Sequence, residues 1–502
     1  MPLVSKLFQP LSVRSLSLPN RLVLPAMVTR LSGEDGHVND AIRARYVRYA
    51  KGGVGLIVVE AMAVHSAKSG PLLRISSDEF VPGLRDLVRR CKDAGSSQIV
   101  PQIIHFLKIS RSGWRQTIDM LSPDELDEIV AGYTAAAERA RECGFDGVEL
   151  HMAHAYTLSS FLSRLNPRRD VYGGTLENRL RLPMRVLESV RNAVGADFAI
   201  GVRFLAEECI RNGYTVVDAA PMAIRFARAG ADYLSLSAGG KFEDARVIPN
   251  EPLYPYTGYS GDRCMPGAQY PDGPHVAAAE AVRAAIGQAG LSTPVVAVGK
   301  INSRLHAESI LERGQGDLIG MARALLADPD LPKKWLQGDD EKVVRCVYGN
   351  VCKALDESFR RVDCTLWPKR LGQAPESDDT IPPVWPENGA GLRAEYKDGR
   401  VILRWSAATD NEAIYGYELS RAEDGGVFTH IASVRSGSTR FEDARVIGAS
   451  IYQYRVRAYD VAGNRGSPSE AVSVAVPTTS GRAEPLTKLR IVDPNRIDGC
   501  AQ

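Results

Sequence analysis

No stretch of this sequence offers the run of about 18 apolar residues that a membrane span requires. Its opening residues, MPLVSKLFQPLSV, lack a long apolar core and a cleavage-site pattern, so no secretory signal is expected. Charge of one sign is missing too: 62 Lys and Arg stand against 60 Asp and Glu, a net charge of +2. That balance leaves no electrostatic footprint for nucleic acid or an anionic membrane surface. Cysteine is scarce, with 8 scattered through 502 residues, unlike the dense spacing of a secreted disulfide scaffold. The expected compartment is a reducing cytoplasm. The expected partner is a small molecule, not nucleic acid or a membrane; a homo-oligomer stays open.

What is present is an ordinary globular composition, 44% hydrophobic and 24% charged, in a chain too long for one domain. Short β-rich runs recur, each followed by a helical pattern. They are Arg21–Ala26, Gly55–Glu60, Gln98–Ile104, Asp146–His151, Phe198–Arg203, Asp232–Ser237, Pro294–Gly299 and Asp317–Met321. Near-continuous apolar runs suit strands buried on both faces. The helical stretch Pro123–Cys143 opens with Ser122 as cap, Pro123 in the first turn and Glu125 placed to close a capping box. Eight such units predict an α/β fold of the closed (β/α)8 TIM-barrel type over residues 1–340.

A long insertion, Lys241 to Gly273, follows strand six and is rich in Tyr, Pro and Gly. Loops of this length are commonly functional, and it reads as a lid, with Tyr254 and Tyr256 as candidate substrate-lining residues. Residues 341–370 carry Cys346, Cys352 and Cys364, and residues 371–388 read as a Pro-rich linker. The period then changes to two: Val401, Leu403 and Trp405 alternate, as do Tyr452, Tyr454, Val456 and Ala458. Residues 389–477 are therefore expected to form a small all-β, immunoglobulin-like sandwich, a surface open to protein contacts. Residues 478–502 are a polar tail.

The chemistry concentrates in Phe145–Tyr172, FDGVELHMAHAYTLSSFLSRLNPRRDVY. A short apolar strand delivers His151, His154 and Tyr156 at its C-terminal end, where barrels of parallel strands build their active sites. Two imidazoles here can hold a substrate oxygen and stabilise charge developing on it. A metal half-site or simple ring packing are the alternatives; no Asp, Glu or Cys follows closely as a third metal ligand. The loops after strands seven and eight, with Gly299, Lys300, Gly320 and Arg323, suit a phosphate, or are plain loop glycines beside surface cations. Arg203 ends strand five, either as a fixed cation for a ligand or in a stabilising salt bridge.

The run His-x-x-His-x-Tyr followed by NPRRDVYGGTLENRLR resembles the Old Yellow Enzyme family of FMN-dependent NAD(P)H oxidoreductases. Within it the chain looks most like the branch of dienoyl-CoA reductase and trimethylamine dehydrogenase, over roughly Leu7 to Lys369. The resemblance implies FMN as cofactor and NAD(P)H as electron donor, with ping-pong hydride transfer to an activated C=C bond. It implies that Pro25, Ala26, Met27 and Ala61 wall the ring. Gln102 would bind the N3–H and C2=O edge, Arg203 would face N1 and O2, and Thr29 would donate near O4. Tyr156 would protonate the substrate α-carbon after His151 and His154 bind its oxygen. The segment Pro25-Ala-Met-Val-Thr29 is longer than the usual spacing, and Phe106-Leu107-Lys108 replaces the family's residues after His105.

Some relatives carry an iron–sulfur cluster on C-x2-C-x3-C-x11-C. Here the pattern is Cys346-x5-Cys352-x11-Cys364, a degenerate site that reads as ordinary thiols, with a three-cysteine cluster left open. No G-x-G-x-x-G follows the barrel. Instead, Gly416-Tyr417-Glu418 and Tyr454-Arg-Val-x-Ala-x-Asp460 resemble a bacterial fibronectin type III domain. Two other functions stay in view: oxidative N-demethylation of a tertiary amine or betaine, and a flavoprotein that acts mainly as a binding or assembly module through its sandwich.

Overall fold

In a computed structural model of the chain, the residues described are 5–67, 70–108, 116–210, 212–239, 261–268, 270–367, 379, 381–411, 413–446, 448–460 and 464–477. They fall into two compact units, Met1–Pro382 with Tyr459–Arg465, and Pro383–Ala458 with Gly466–Gln502.

The first unit is the expected barrel. Its strands are β1 Leu22–Leu24, β2 Leu56–Ala63, β3 Gln98–Ile104, β4 Gly147–Met152, β5 Ala199–Glu207, β6 Tyr233–Ala238, β7 Val295–Val298 and β8 Leu318–Gly320. All pair in parallel and in chain order, and β8 closes on β1. Their apolar runs are explained by burial on both faces: all eight residues of β2 are buried. Outward side chains such as Ile57, Ile99 and Val148 pack under the surrounding helices. Inward ones, including Leu56, Val58, Val100, Ala199 and Val296, form a separate core with Val13, Leu16 and Leu18. Those three come from the hairpin Leu11–Val13 with Leu16–Leu18, which closes the N-terminal mouth.

Two strands outrun the sequence expectation. β2 continues to Ala63 and β5 to Glu207, each through a register shift, at Val59/Met62 and Leu205/Glu207. Bulges at a barrel rim bend the strand and re-aim its side chains, here at the C-terminal mouth. β1 by contrast stops at Leu24, so Pro25–Met27 lie beyond its end, on the same mouth. The helix Pro123–Glu142 starts as its sequence predicts. Ser122 Oγ accepts from the Glu125 amide at 3.2 Å, and Glu125 Oε2 accepts from the Ser122 amide at 2.9 Å. Among the described residues, no helix is long and apolar enough to cross a membrane.

The second unit holds two antiparallel sheets. One has three strands, Arg393–Lys397, Arg400–Arg404 and Arg440–Asp443; the other has four, ordered Thr429–Arg435, Ile414–Glu423, Ser450–Asp460 and Val472–Val476. The alternating residues Val401, Leu403, Trp405, Tyr452, Tyr454 and Val456 share one core with Tyr417 and Leu419, which is what an apolar period of two requires. This unit starts before residue 389: Val384 bridges Thr409, and Trp385 stacks on Tyr417 at 6.0 Å.

Candidate active site

The C-terminal mouth of the barrel holds a cavity of about 690 Å³, within the size range of cofactor pockets. β4 ends at Met152, and the chain then turns sharply. His154 and Ala155 both take the left-handed backbone conformation, at φ 57° and 54°. Non-glycine residues adopt it rarely, and such strain gathers at functional sites. The turn gathers three rings. His151 lies 5.1 Å from His154 and 5.4 Å from Tyr156 between centroids, and all three line the cavity.

The two imidazoles are not equivalent. His154 Nε2 is 2.8 Å from Ser237 Oγ, at the end of β6, and 3.2 Å from Cys264 Sγ. His151 is buried, and its Nδ1 has no hydrogen-bond partner among the described residues. Burial above all, with the Arg203 cation as a further cause, keeps both neutral: His154 is pushed down to about 3 and His151 well below its usual range. A neutral imidazole carries one N–H. His154 is thus held at Nε2 by Ser237 and Cys264, while His151 keeps a ring nitrogen that no described residue engages.

Behind the rings lies a buried carboxylate that the sequence reading did not single out. Glu149, in β4, accepts from Gln102 Nε2 at 2.7 Å and from Tyr233 Oη at 3.1 Å. Arg203 faces it and donates to Ser235 Oγ at 2.8 Å. Burial raises the Glu149 carboxyl, and Arg203 opposes that rise. Glycine at 201 makes room for the Tyr233 ring, since a Cβ there would stand 2.1 Å from it. Glu149 thus fixes which way the Gln102 amide points and balances the Arg203 charge. The signal for it was an acid inside a strand read as buried on both faces.

Pro25, Ala26, Met27, Ala61, Gln102, Arg203, Gly299, Lys300, Gly320 and Arg323 all line the cavity. Thr29 does not, which departs from the expected donor role. It is buried, its amide donates to Glu60 Oε2 at 3.2 Å, and its Oγ1 accepts from the Leu31 amide at 3.3 Å. The longer Pro25-to-Thr29 spacing carries it past the mouth, and Met27 and Val28 line the cavity instead. Tyr254 and Tyr256 lie outside the described residues. Of the insertion's described end, Cys264 and Met265 reach the cavity.

Glu60 itself is buried, held by Tyr46 and the Thr29 amide, with Oε1 unpartnered among the described residues. Burial pushes its carboxyl up to about 7 from the usual 4.5. A raised acid stabilises the fold fully below its unfolded value and loses that contribution as pH rises through the folded one. Stability should therefore fall by roughly 3 kcal/mol between about pH 4.5 and 7, at about 1.4 kcal/mol per unit. Glu60→Gln should flatten this slope in urea unfolding. An unchanged slope in the variant would remove Glu60 as its source.

Gly299 has φ +106°, and a Cβ there would meet His275 Nδ1 at 2.8 Å. The His275 ring is buried against the cavity, beside the Arg263 backbone. Lys300 Nζ donates to the carbonyls of Tyr270 and Ala268, the latter at 3.4 Å. Arg323 Nη1 donates to Pro266 O at 2.8 Å and Asn350 Oδ1 at 2.6 Å. The cavity size, the glycine approach at 299 and the unpartnered Nδ1 of His151 together fit a phosphorylated, ring-bearing cofactor such as FMN.

The cysteine-bearing segment folds back onto this mouth. Tyr348, Asp356, Glu357 and Phe359 line the cavity, and none was apparent from spacing. Cys346, Cys352 and Cys364 line a second, smaller space together with Tyr348, Asn350 and Leu366. Amides donate to two of the sulfurs, Tyr348 N to Cys346 and Leu366 N to Cys364, each at 3.4 Å. Burial pushes the Cys346 thiol up to about 11. Three thiols supply one ligand fewer than the four that a four-iron cluster takes.

The profile of the NADH:flavin oxidoreductase / NADH oxidase family matches residues 6–112, 108–241 and 265–341. An NADH oxidase of Thermoanaerobacter brockii is 30% identical over 385 residues, covering 72% of this chain and 56% of that one. An NADPH dehydrogenase of a Geobacillus species is 35% identical over 344 residues, covering 65% of this chain and 92% of that one. An N,N-dimethylglycine/sarcosine dehydrogenase of Chromohalobacter salexigens is 29% identical over 387 residues, covering 71% and 52%. The chain thus spans about half the length of the first and third of these relatives, and nearly all of the second.

Proposed function

The chain belongs to the NADH:flavin oxidoreductase / NADH oxidase family, and from that premise we propose that it is an FMN-dependent NAD(P)H oxidoreductase that reduces an activated C=C bond of the enone or enoate type. The observation that carries this reading is the pair His151 and Tyr156, 5.4 Å apart on the cavity wall, with His151 Nδ1 unpartnered. Bound FMN supplies hydride transfer in both directions. Gln102, oriented by Glu149, and Arg203, held by Ser235, would hold the polar edge of the ring. His151 holds the substrate oxygen with a neutral N–H, where negative charge develops. Burial above all, with Asp356 as a further cause, raises the Tyr156 phenol above its usual range and keeps it a proton donor at neutral pH. NAD(P)H and the second substrate use the same mouth in turn.

A second reading is oxidation of an N-methyl amine. It is favoured by the similarity to the N,N-dimethylglycine/sarcosine dehydrogenase and by Glu357 on the cavity wall, while Arg30 already pairs with Asp356 and covers the Phe359 ring.

The test is the absorption spectrum and iron content of anaerobically purified protein, then steady-state turnover with an enone and a tertiary amine side by side. A flavin spectrum, little iron and turnover of the enone are expected. Iron near stoichiometry with broad absorption would overturn the cluster-free reading. Turnover of the amine alone would replace the first reading by the second.

A further inference from the structure

We propose that Tyr348, on the cysteine-bearing segment, belongs to the flavin seat, its hydroxyl donating a hydrogen bond to the FMN phosphate between Lys300 and Arg323. This rests on the flavin reading above. The Tyr348 ring lies between the two cations, with Lys300 Nζ 4.9 Å and the Arg323 guanidinium 4.7 Å from its centroid. Cation–π attraction accounts for the ring. It does not account for the hydroxyl, since phenylalanine would stack as well. That hydroxyl is buried, in a residue only 7% exposed, and has no hydrogen-bond partner among the described residues. A buried polar group left unmade is costly, and native proteins rarely keep one without a use.

The backbone carries a second cost at the same place. Tyr348 and Asn350 both adopt the left-handed conformation, at φ 52° and 55°, which a bulky side chain rarely does unprompted. What holds them there is Asn350. Its Oδ1 accepts from Arg323, and its Nδ2 donates to Met265 O at 2.6 Å. The segment is therefore tied to Arg323 and to the end of the insertion through Asn350. Arg323 and Lys300 already spend donors on the carbonyls of Pro266, Ala268 and Tyr270. A phosphate has three acceptor oxygens to satisfy, and Tyr348 lines the cavity as a further donor beside both cations. Burial next to Cys346 raises the phenol, so it stays protonated and able to donate.

The experiment titrates flavin-free full-length protein with FMN and with riboflavin, read by flavin fluorescence, in wild type and in Tyr348→Phe. The variant keeps the ring and removes only the O–H. FMN should bind roughly 10- to 100-fold more weakly, as expected for a lost hydrogen bond to a charged group. Riboflavin, which has no phosphate, should bind as before. The flavin-free variant should melt no lower than wild type, because the hydroxyl has no protein partner to lose. Equal weakening of both ligands, an unchanged FMN affinity, or a lower melting temperature of the flavin-free variant would each overturn the role of Tyr348 alone. Failure of wild type to bind FMN would overturn the flavin reading with it.

Discussion

Tyr156→Phe is expected to slow reoxidation of the reduced protein by an enone by roughly 10²–10⁴, the usual span for a lost general acid, while leaving reduction by NAD(P)H nearly unchanged. Hydride addition at the β-carbon leaves charge on the substrate oxygen and a carbanion centre at the α-carbon. His151 can hold the oxygen but not also protonate the carbon, because a neutral ring has a single N–H. Tyr156 sits at the start of the helix Thr157–Leu162, so the turn through His154 and Ala155 fixes its position against His151. Its phenol is raised chiefly by burial, and the nearby Arg30 cation only partly offsets this. It therefore stays protonated throughout the neutral range. Phenylalanine preserves the shape and removes the proton. Reoxidation by dioxygen should be unaffected, since it takes no proton from this side chain. Stopped-flow absorbance of the two half-reactions measures all three rates. Equal losses in both halves would make Tyr156 a structural residue. No loss in either would move the donor elsewhere, with Ser237 and Cys264 on the cavity wall next to test.

Arg203→Leu should both abolish tight FMN binding and destabilise the flavin-free barrel by about 1–3 kcal/mol at neutral pH, because Ser235 loses its buried donor and the buried Glu149 carboxylate loses a nearby cation. Arg203 is 8% exposed and Glu149 is 1% exposed. Among the described residues the Glu149 carboxylate is hydrogen-bonded by the Gln102 amide and the Tyr233 hydroxyl, and the guanidinium acts on it as a nearby charge. Its carboxyl, already raised by burial, loses the cation that opposes the rise. The destabilisation should therefore grow as pH rises above the ordinary carboxylate range and shrink below it. Adding Glu149→Gln removes the charge and should recover most of the stability, but not the flavin, because the cation is still missing. Denaturant unfolding of the two variants separates these effects. A double variant no more stable than Arg203→Leu would show that Glu149 and Arg203 are not coupled.

Much of this molecule is readable one segment at a time. The eight strands, the helix Pro123–Glu142 with its Ser122–Glu125 cap, and the alternating strands of the sandwich follow from local periodicity and end chemistry. These are properties of residues close in sequence. So is the gathering of His151, His154 and Tyr156, since one strand end and one turn carry all three. The glycines and cations after β7 and β8 were legible because barrel topology fixes which loop ends face the mouth.

Which atoms of those residues remain available was decided by the tertiary structure. His154 is held by Ser237 and by Cys264, 110 residues away in the chain. Glu149 takes its partners from β3 and β6. Tyr348 reaches Lys300 and Arg323 only because the cysteine segment folds back over the mouth. Thr29 turned away from the cavity because β1 ends at Leu24 and the residues after it fill the space first. Periodicity records whether a side chain points in or out. It does not record what meets it there, because a hydrogen bond or an ion pair depends on ångström-scale distances between segments far apart in the chain, and these are fixed only when the whole barrel closes.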